Sequence, residues 1–126
     1  MTNERTFYHC EICGNLVGLI ENAGVVPECC GQPMVELTAN TADASKEKHV
    51  PALSLEGCSL SVAIGSAPHP MTEAHHIVWI AVAQGRRTQR QELDSSEPAT
   101  TQFHVAEGSL SVYAYCNLHG LWKADL

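Results

Sequence analysis

Four cysteines near the start of the chain carry the first chemistry. Cys10 and Cys13 stand two residues apart in "CEICG", and Cys29 and Cys30 are adjacent in "CCGQPM". A Gly follows each pair, which lets the backbone turn so that its amides face the sulfurs. Four thiolates around one ion make a tetrahedral all-sulfur site, which suits iron or zinc. Adjacent cysteines depart from two regular C-x2-C knuckles and predict a distorted tetrahedron. A Cys10–Cys13 redox pair or a structural disulfide are the other uses of these residues. A thioredoxin-like redox pair would sit in a βαβ setting, and the surrounding sequence has none.

A second set lies further along. The stretch "VYAYCNLHGLWKADL" places Cys116 and His119 two residues apart, with Trp122 following. Such a pair can share a metal, work in catalysis or fill a core. Upstream, His49 precedes Pro51, and "APHPMTEAHHIVWI" carries His69 and His75. Pro68 and Pro70 stiffen that segment by fixing φ. Four imidazoles and one thiolate leave one position open on an octahedral ion. Such a mixed set suits iron, copper or zinc, and an open position marks a reactive site. His and Cys ligands at one end of a β-sandwich also resemble a cupredoxin. No Met follows His119 at the distance of a weak axial ligand, which speaks against copper. His9 and His104 stand outside the set. His76 reads as a strand residue facing away from His75. Cys58 shares an alternating apolar face with Leu60, Val62 and Ile64, which predicts a buried, inert thiol.

The elements that must position these groups are short. The 126 residues are 44% hydrophobic and 17% charged, the balance of a folded globular protein. Lys and Arg number 7 against 14 Asp and Glu, a formal net charge of −7 that excludes a general nucleic-acid binder. No apolar run approaches the ~20 residues of a membrane span. The polar N-terminus carries no secretory h-region, so a cytoplasmic location is expected. Six cysteines under reducing conditions point to metal binding or catalysis, with three disulfides as the alternative.

From Phe7 to Leu37, short apolar runs are separated by Gly, Asn and Pro, the pattern of tight turns and small hairpins. A segment this small needs a metal or disulfides to hold a fold. "TANTADASKEKH" is a polar linker with room for one helical turn started by Thr41 or Asp43. From His49 onward the pattern is all-β. Cys58 to Ile64 alternates, Ile77 to Val82 is an apolar run of strand length, and Gln84 to Arg90 suits a hairpin tip. Phe103 with Val105, and then Leu110 to Cys116, alternate again. This predicts an immunoglobulin-like antiparallel β-sandwich.

The segments "CEICGNLV", "CCGQPM", "NTADASKEKHVP", "HPMTEAHHIVWI" and "YCNLHGLWK" together resemble the desulfoferrodoxin type of superoxide reductase, the two-iron form, over essentially the whole chain. The resemblance implies a desulforedoxin-like four-cysteine domain over residues 1–37, a linker with a catalytic Glu-Lys loop over 38–48, and a β-sandwich reductase domain over 49–126. Cys10, Cys13, Cys29 and Cys30 would hold one iron, a place that zinc also suits. His49, His69, His75 and His119 would bind a second iron equatorially and Cys116 axially, with superoxide at the open position. Glu47 would occupy that position in the oxidised state, and Lys48 would assist superoxide. The implied reaction is one-electron reduction of superoxide to hydrogen peroxide without release of dioxygen. The resemblance also implies a homodimer and a small redox protein, such as a rubredoxin, as electron donor.

Overall fold

The computed structural model describes residues 3–42 and 46–126, without the side chain of Glu47. The described residues form two compact units, one of residues 4–38 and a larger one of residues 39–42 and 46–126, to which Asn3 also belongs. Among the described residues no helix is long and apolar enough to cross a membrane.

The smaller unit is built from strands of two or three residues: β1 (Phe7–His9), β2 (Leu16–Gly18), β3 (Glu28–Cys29), β4 (Gln32–Pro33) and β5 (Val35–Glu36). β1 lies between β2 and β5, and β3 pairs with β4. Its buried apolar residues are Tyr8, Cys10 and Met34, with Leu19 and Cys29 packed against them. So small a core cannot offset the entropy of ordering the segment, which leaves a metal to supply the remainder. The β3–β4 hairpin has Cys30 and Gly31 at its tip, both with positive φ, 54° and 77°. Two left-handed residues make the tight two-residue turn that matches strand twist. Gly takes that conformation freely. Cys30 does not, and adopting it costs on the order of 1 kcal/mol.

The larger unit opens with one helical turn, α1 (Lys46–His49). The turn starts past Thr41, and Asp43 lies outside the described residues. Seven strands follow: β6 (Pro51–Glu56), β7 (Ser59–Ile64), β8 (Ile77–Gln84), β9 (Arg87–Glu92), β10 (Thr100–His104), β11 (Ser111–Cys116) and β12 (Gly120–Asp125). They form two antiparallel sheets, in the orders β10-β7-β6 and β12-β11-β8-β9. This is the three-plus-four sandwich that the alternating pattern predicts. The facing sides meet in one core of Leu60, Val62, Ile64, Ile80, Val82, Phe103, Val112 and Ala114, with Cys116 at one end. Each fully buried aliphatic side chain here contributes roughly 1.5–3 kcal/mol.

Two sequence readings are corrected by the strands. The Gln84–Arg90 segment is not all hairpin tip. Only Gly85 and Arg86 make the turn, and Arg87–Glu92 is a polar edge strand paired with β8. Its outward charges are typical of an edge that must not pair with another chain, and they leave it without apolar alternation. Cys58 is exposed, not buried. It belongs to the two-residue turn Gly57–Cys58 between β6 and β7, so the alternation of β7 begins after it.

Candidate metal centres

The four cysteines of the smaller unit converge. Each offers a sulfur, and all four sulfurs lie within 4.8 Å of one another. Cys13 Sγ is 3.6 Å from Cys29 Sγ, and Cys29 Sγ is 3.9 Å from Cys30 Sγ. The knuckle aims backbone amides at sulfur, with the Cys13 N–H donating to Cys10 Sγ across 3.5 Å. The side-chain amide of Asn15 donates to Cys29 Sγ at 3.7 Å. The positive-φ turn at Cys30 and Gly31 lets two adjacent cysteines reach one point. That backbone answer to the adjacent pair is invisible in the spacing.

Titration of the set is uneven. The backbone N–H of Cys13 holds the Cys10 thiol down at about 6. Hydrogen bonding with Cys13, and then Cys10, pushes Cys30 up to about 12 and raises Cys29 as well. One thiolate forms readily and opposes the next. A cation among them removes that opposition, because a coordinating thiol is deprotonated outright.

The second set gathers at one end of the sandwich. His49 ends α1, His69 and His75 come from the loop between β7 and β8, Cys116 ends β11, and His119 sits in the turn to β12. Cys116 pairs with Gly120. Gly120 has φ +77°, the left-handed residue that closes a three-residue hairpin loop. Beside it the β8–β11 register slips between Tyr115 and Cys116, so that Cys116 faces Ile77. A bulge here turns both Ile77 and Ile80 inward and ends regular pairing where the ligands begin.

The four imidazoles form a square. Ring centroids run His49–His69 4.6 Å, His69–His75 4.8 Å, His75–His119 5.0 Å and His119–His49 4.9 Å. Each ring stands nearly perpendicular to its neighbours, at 78–88°. Across the diagonal, His49 and His75 are 6.2 Å apart and within 28° of parallel. Donor atoms of His49, His75, Cys116 and His119 all lie within 4.8 Å of one another. His69 falls outside that common spacing and joins the square through its ring contacts.

The free atoms of this square test whether a metal fits. His69 Nδ1 is 2.7 Å from the Pro70 carbonyl. A carbonyl only accepts, so Nδ1 carries the proton and Nε2 carries a lone pair. His69 Nε2 and His75 Nε2 are both buried without a hydrogen-bond partner among the described residues. Bare buried nitrogens are costly, and a metal ion is the partner that four converging lone pairs share. His49 Nε2 and His119 Nδ1 are 3.1 Å apart. Two nitrogens ~2.1 Å from one ion at a right angle would be ~3 Å apart. Cys116 Sγ lies 3.9 Å from His119 Nδ1. The orientation is three rings through Nε2 and His119 through Nδ1. Burial, opposed only in part by the Pro70 hydrogen bond, holds His69 down at about 4. Burial and then the positive charges of His119, His49, His76 and Lys48 lower His75. Both rings are therefore neutral and ready to ligate at neutral pH.

Other expected positions fall as follows. Lys48 is exposed in α1, next to His49, and its charge is felt at His75. The side chain of Glu47 lies outside the described residues. His76 is not a strand residue. It sits in the loop before β8, with its Nδ1 3.0 Å from the Thr72 carbonyl. Trp122 is fully buried, lies 4.8 Å from the His49 ring at 28°, and donates to the His119 carbonyl at 3.1 Å. It thus backs two members of the square.

A family model described as Desulfoferrodoxin matches residues 41–125, and one described as Desulfoferrodoxin, N-terminal domain, matches residues 2–37. The chain belongs to the desulfoferrodoxin family. A desulfoferrodoxin of Clostridium acetobutylicum is 42% identical over 100% of both chains. One from Syntrophotalea carbinolica is 40% identical over 99% of both. Among solved structures, the superoxide reductase from Treponema pallidum superposes with a TM-score of 0.77 at 30% identity, covering 96% of this chain and 98% of that one. The superoxide reductase (1Fe-SOR) from Giardia intestinalis matches with a TM-score of 0.57 at 32% identity, covering 64% of this chain and 98% of its own. The desulfoferrodoxin architecture of this chain thus carries two donor sets, four cysteines and four histidines with one cysteine, that fit two iron ions.

Proposed function

We propose that this chain is a non-haem iron superoxide reductase that converts superoxide to hydrogen peroxide in superoxide detoxification. The observation that carries the reading is the square of four imidazoles with Cys116 buried on its core side. His49, His69, His75, His119 and Cys116 would hold a ferrous ion, which would supply the one electron of the reduction, with two protons completing the peroxide. The protein's own part is to bring four rings together, two of them, His69 and His75, kept neutral by burial, and to keep water from the Cys116 sulfur. The Cys116 thiolate would raise electron density at such a metal.

Superoxide is an anion, and the chain carries a net charge of −7. Attraction must therefore be local. Lys48, exposed beside His49, is assigned this attraction and the delivery of a proton through water, a reading supported by the effect of its charge at His75. Glu47 is assigned with Lys48 to the loop that attends the open position, on the match of "EKHVP". Cys10, Cys13, Cys29 and Cys30 hold a second iron in a domain of residues 1–37. Residues 38–48 form the linker and loop, and residues 49–126 the reductase domain. A small redox protein such as a rubredoxin supplies electrons, and the setting is cytoplasmic. The chain works as a homodimer, a reading supported by Ile20, Val25 and Val26, apolar and exposed on the small unit.

The test is stoichiometry. Reduced, iron-loaded protein mixed with superoxide is expected to yield one hydrogen peroxide per superoxide and no dioxygen. Dioxygen at half the superoxide consumed would mark dismutation and refute the assignment.

A further inference from the structure

Asn117 stands between Cys116 and His119, yet its hydrogen bonds all run to the loop that carries His75. Its Oδ1 accepts from the His76 N–H at 2.9 Å. Its Nδ2 donates to the Ala74 carbonyl at 3.0 Å. Its backbone N–H donates to the His76 carbonyl at 3.2 Å. The two residues it grips are the immediate neighbours of His75. From this clasp we propose that Asn117 is a positioning residue that fixes the His75 loop against the Cys116–His119 turn and so sets how tightly this site holds its metal.

The loop needs such a tie. Residues 65–76 connect two strands of different sheets and include no regular element. Thr72 closes part of the loop on itself, through its N–H to the His75 carbonyl at 2.9 Å and through its Oγ1, which accepts from the His75 N–H at 3.1 Å. Those bonds shape the loop but tie it to nothing that bears another ligand. The β8–β11 ladder, which could do so, loses its register at Cys116. Asn117 continues the pairing beyond that slip with its backbone and doubles it with its side chain. A side-chain amide offers one acceptor and one donor on a short stem, matching one N–H and one carbonyl. A carboxylate would set an acceptor against the Ala74 carbonyl, and Leu, of the same size, would offer nothing.

The inference rests on the metal reading above, so its test uses the full chain with both sites loaded with Fe(II). Loss of iron to a chelator is followed for wild type, Asn117→Leu and Asn117→Ala, with the four-cysteine iron as internal reference and the thiolate-to-iron absorption of the oxidised protein recorded. Partners that orient metal ligands typically change affinity 10–100-fold. These bonds are exposed, so both variants are expected to release the His/Cys-site iron ~10-fold faster, at the low end of that range. Their thiolate band is expected to shift, while four-cysteine iron loss and metal-free melting stay as in wild type. Wild-type release with an unshifted band would overturn the proposal. So would metal-free variants that melt early, since Asn117 would then serve the fold and not the site. If wild type itself takes up no Fe(II) at the His/Cys site, the metal reading falls and this inference with it.

Discussion

The Nδ1–H of His69 donates to the carbonyl of its own neighbour, Pro70, and this one contact decides which ring nitrogen faces the site. Pro70 has no N–H to compete for the turn, and its fixed φ holds the carbonyl in place. The consequence for the metal-free chain is pH dependence. His69 titrates at about 4 in the folded state against the ordinary 6.5, chiefly because burial disfavours its charged form. Between these values the unfolded chain binds a proton that the folded chain does not. Stability from this group is fully present above pH 6.5 and falls as the pH drops towards about 4. Urea midpoints of metal-free protein should decline across that window, and His69→Gln should flatten the decline. A flat wild-type profile would contradict the burial argument.

Trp122 and His49 share a face-to-face contact at 4.8 Å. Trp122 is fully buried, so Trp122→Ala is expected to destabilise the sandwich by about 3–5 kcal/mol. Trp122→Phe keeps most of the volume and removes the bond to the His119 carbonyl. It should cost less in denaturant unfolding while still weakening iron retention. Equal unfolding midpoints for wild type and Trp122→Ala would refute the supporting role.

Lys48 is one of only 7 cationic Lys and Arg residues on a net acidic chain. Lys48→Ala should lower the second-order rate with superoxide by about 10-fold, the lower end of electrostatic steering, and should weaken its dependence on ionic strength. Stopped-flow rates at several salt concentrations give both readouts. An unchanged rate and salt slope would remove Lys48 from the proposed machinery.

The candidate donor residues were legible in part because metal chemistry restricts residue type and local spacing. The distant histidines His49, His69 and His75 were legible through the family resemblance. "CEIC" and "CNLH" each put two ligands on one turn, and strand alternation marked Leu60, Val62 and Ile64 as core. What brings distant ligands together was not legible. The positive φ at Cys30, the bulge at Cys116 and the bonds of Pro70, Asn117 and Trp122 to ligand segments all depend on tertiary placement. The edge strand Arg87–Glu92 was missed because its residues are nearly all polar, as an exposed edge requires. Cys58 was misplaced because alternation in β7 extended one step into a turn.

Cys58 follows from that correction. Its thiol is exposed on a hairpin tip, whereas Cys10 and Cys116 are buried and the remaining cysteines belong to the four-sulfur cluster. Metal-loaded native protein treated with a thiol reagent should therefore react rapidly at one thiol. Cys58→Ser should abolish that fast phase and change stability by less than ~0.5 kcal/mol, as surface substitutions do. Fast labelling that survives in Cys58→Ser would show that the cluster thiols are open to solvent and not held by metal.

The central claim is that iron held by four histidines and Cys116 gives its electron to superoxide. The visible spectrum of the reduced, iron-loaded protein, recorded as one equivalent of superoxide per His/Cys site is added, tests it directly. A thiolate-to-ferric band should grow to one oxidised iron per superoxide, and should be missing in Cys116→Ser. Superoxide decaying at its background rate with no such band, from protein shown to carry iron at that site, would contradict it.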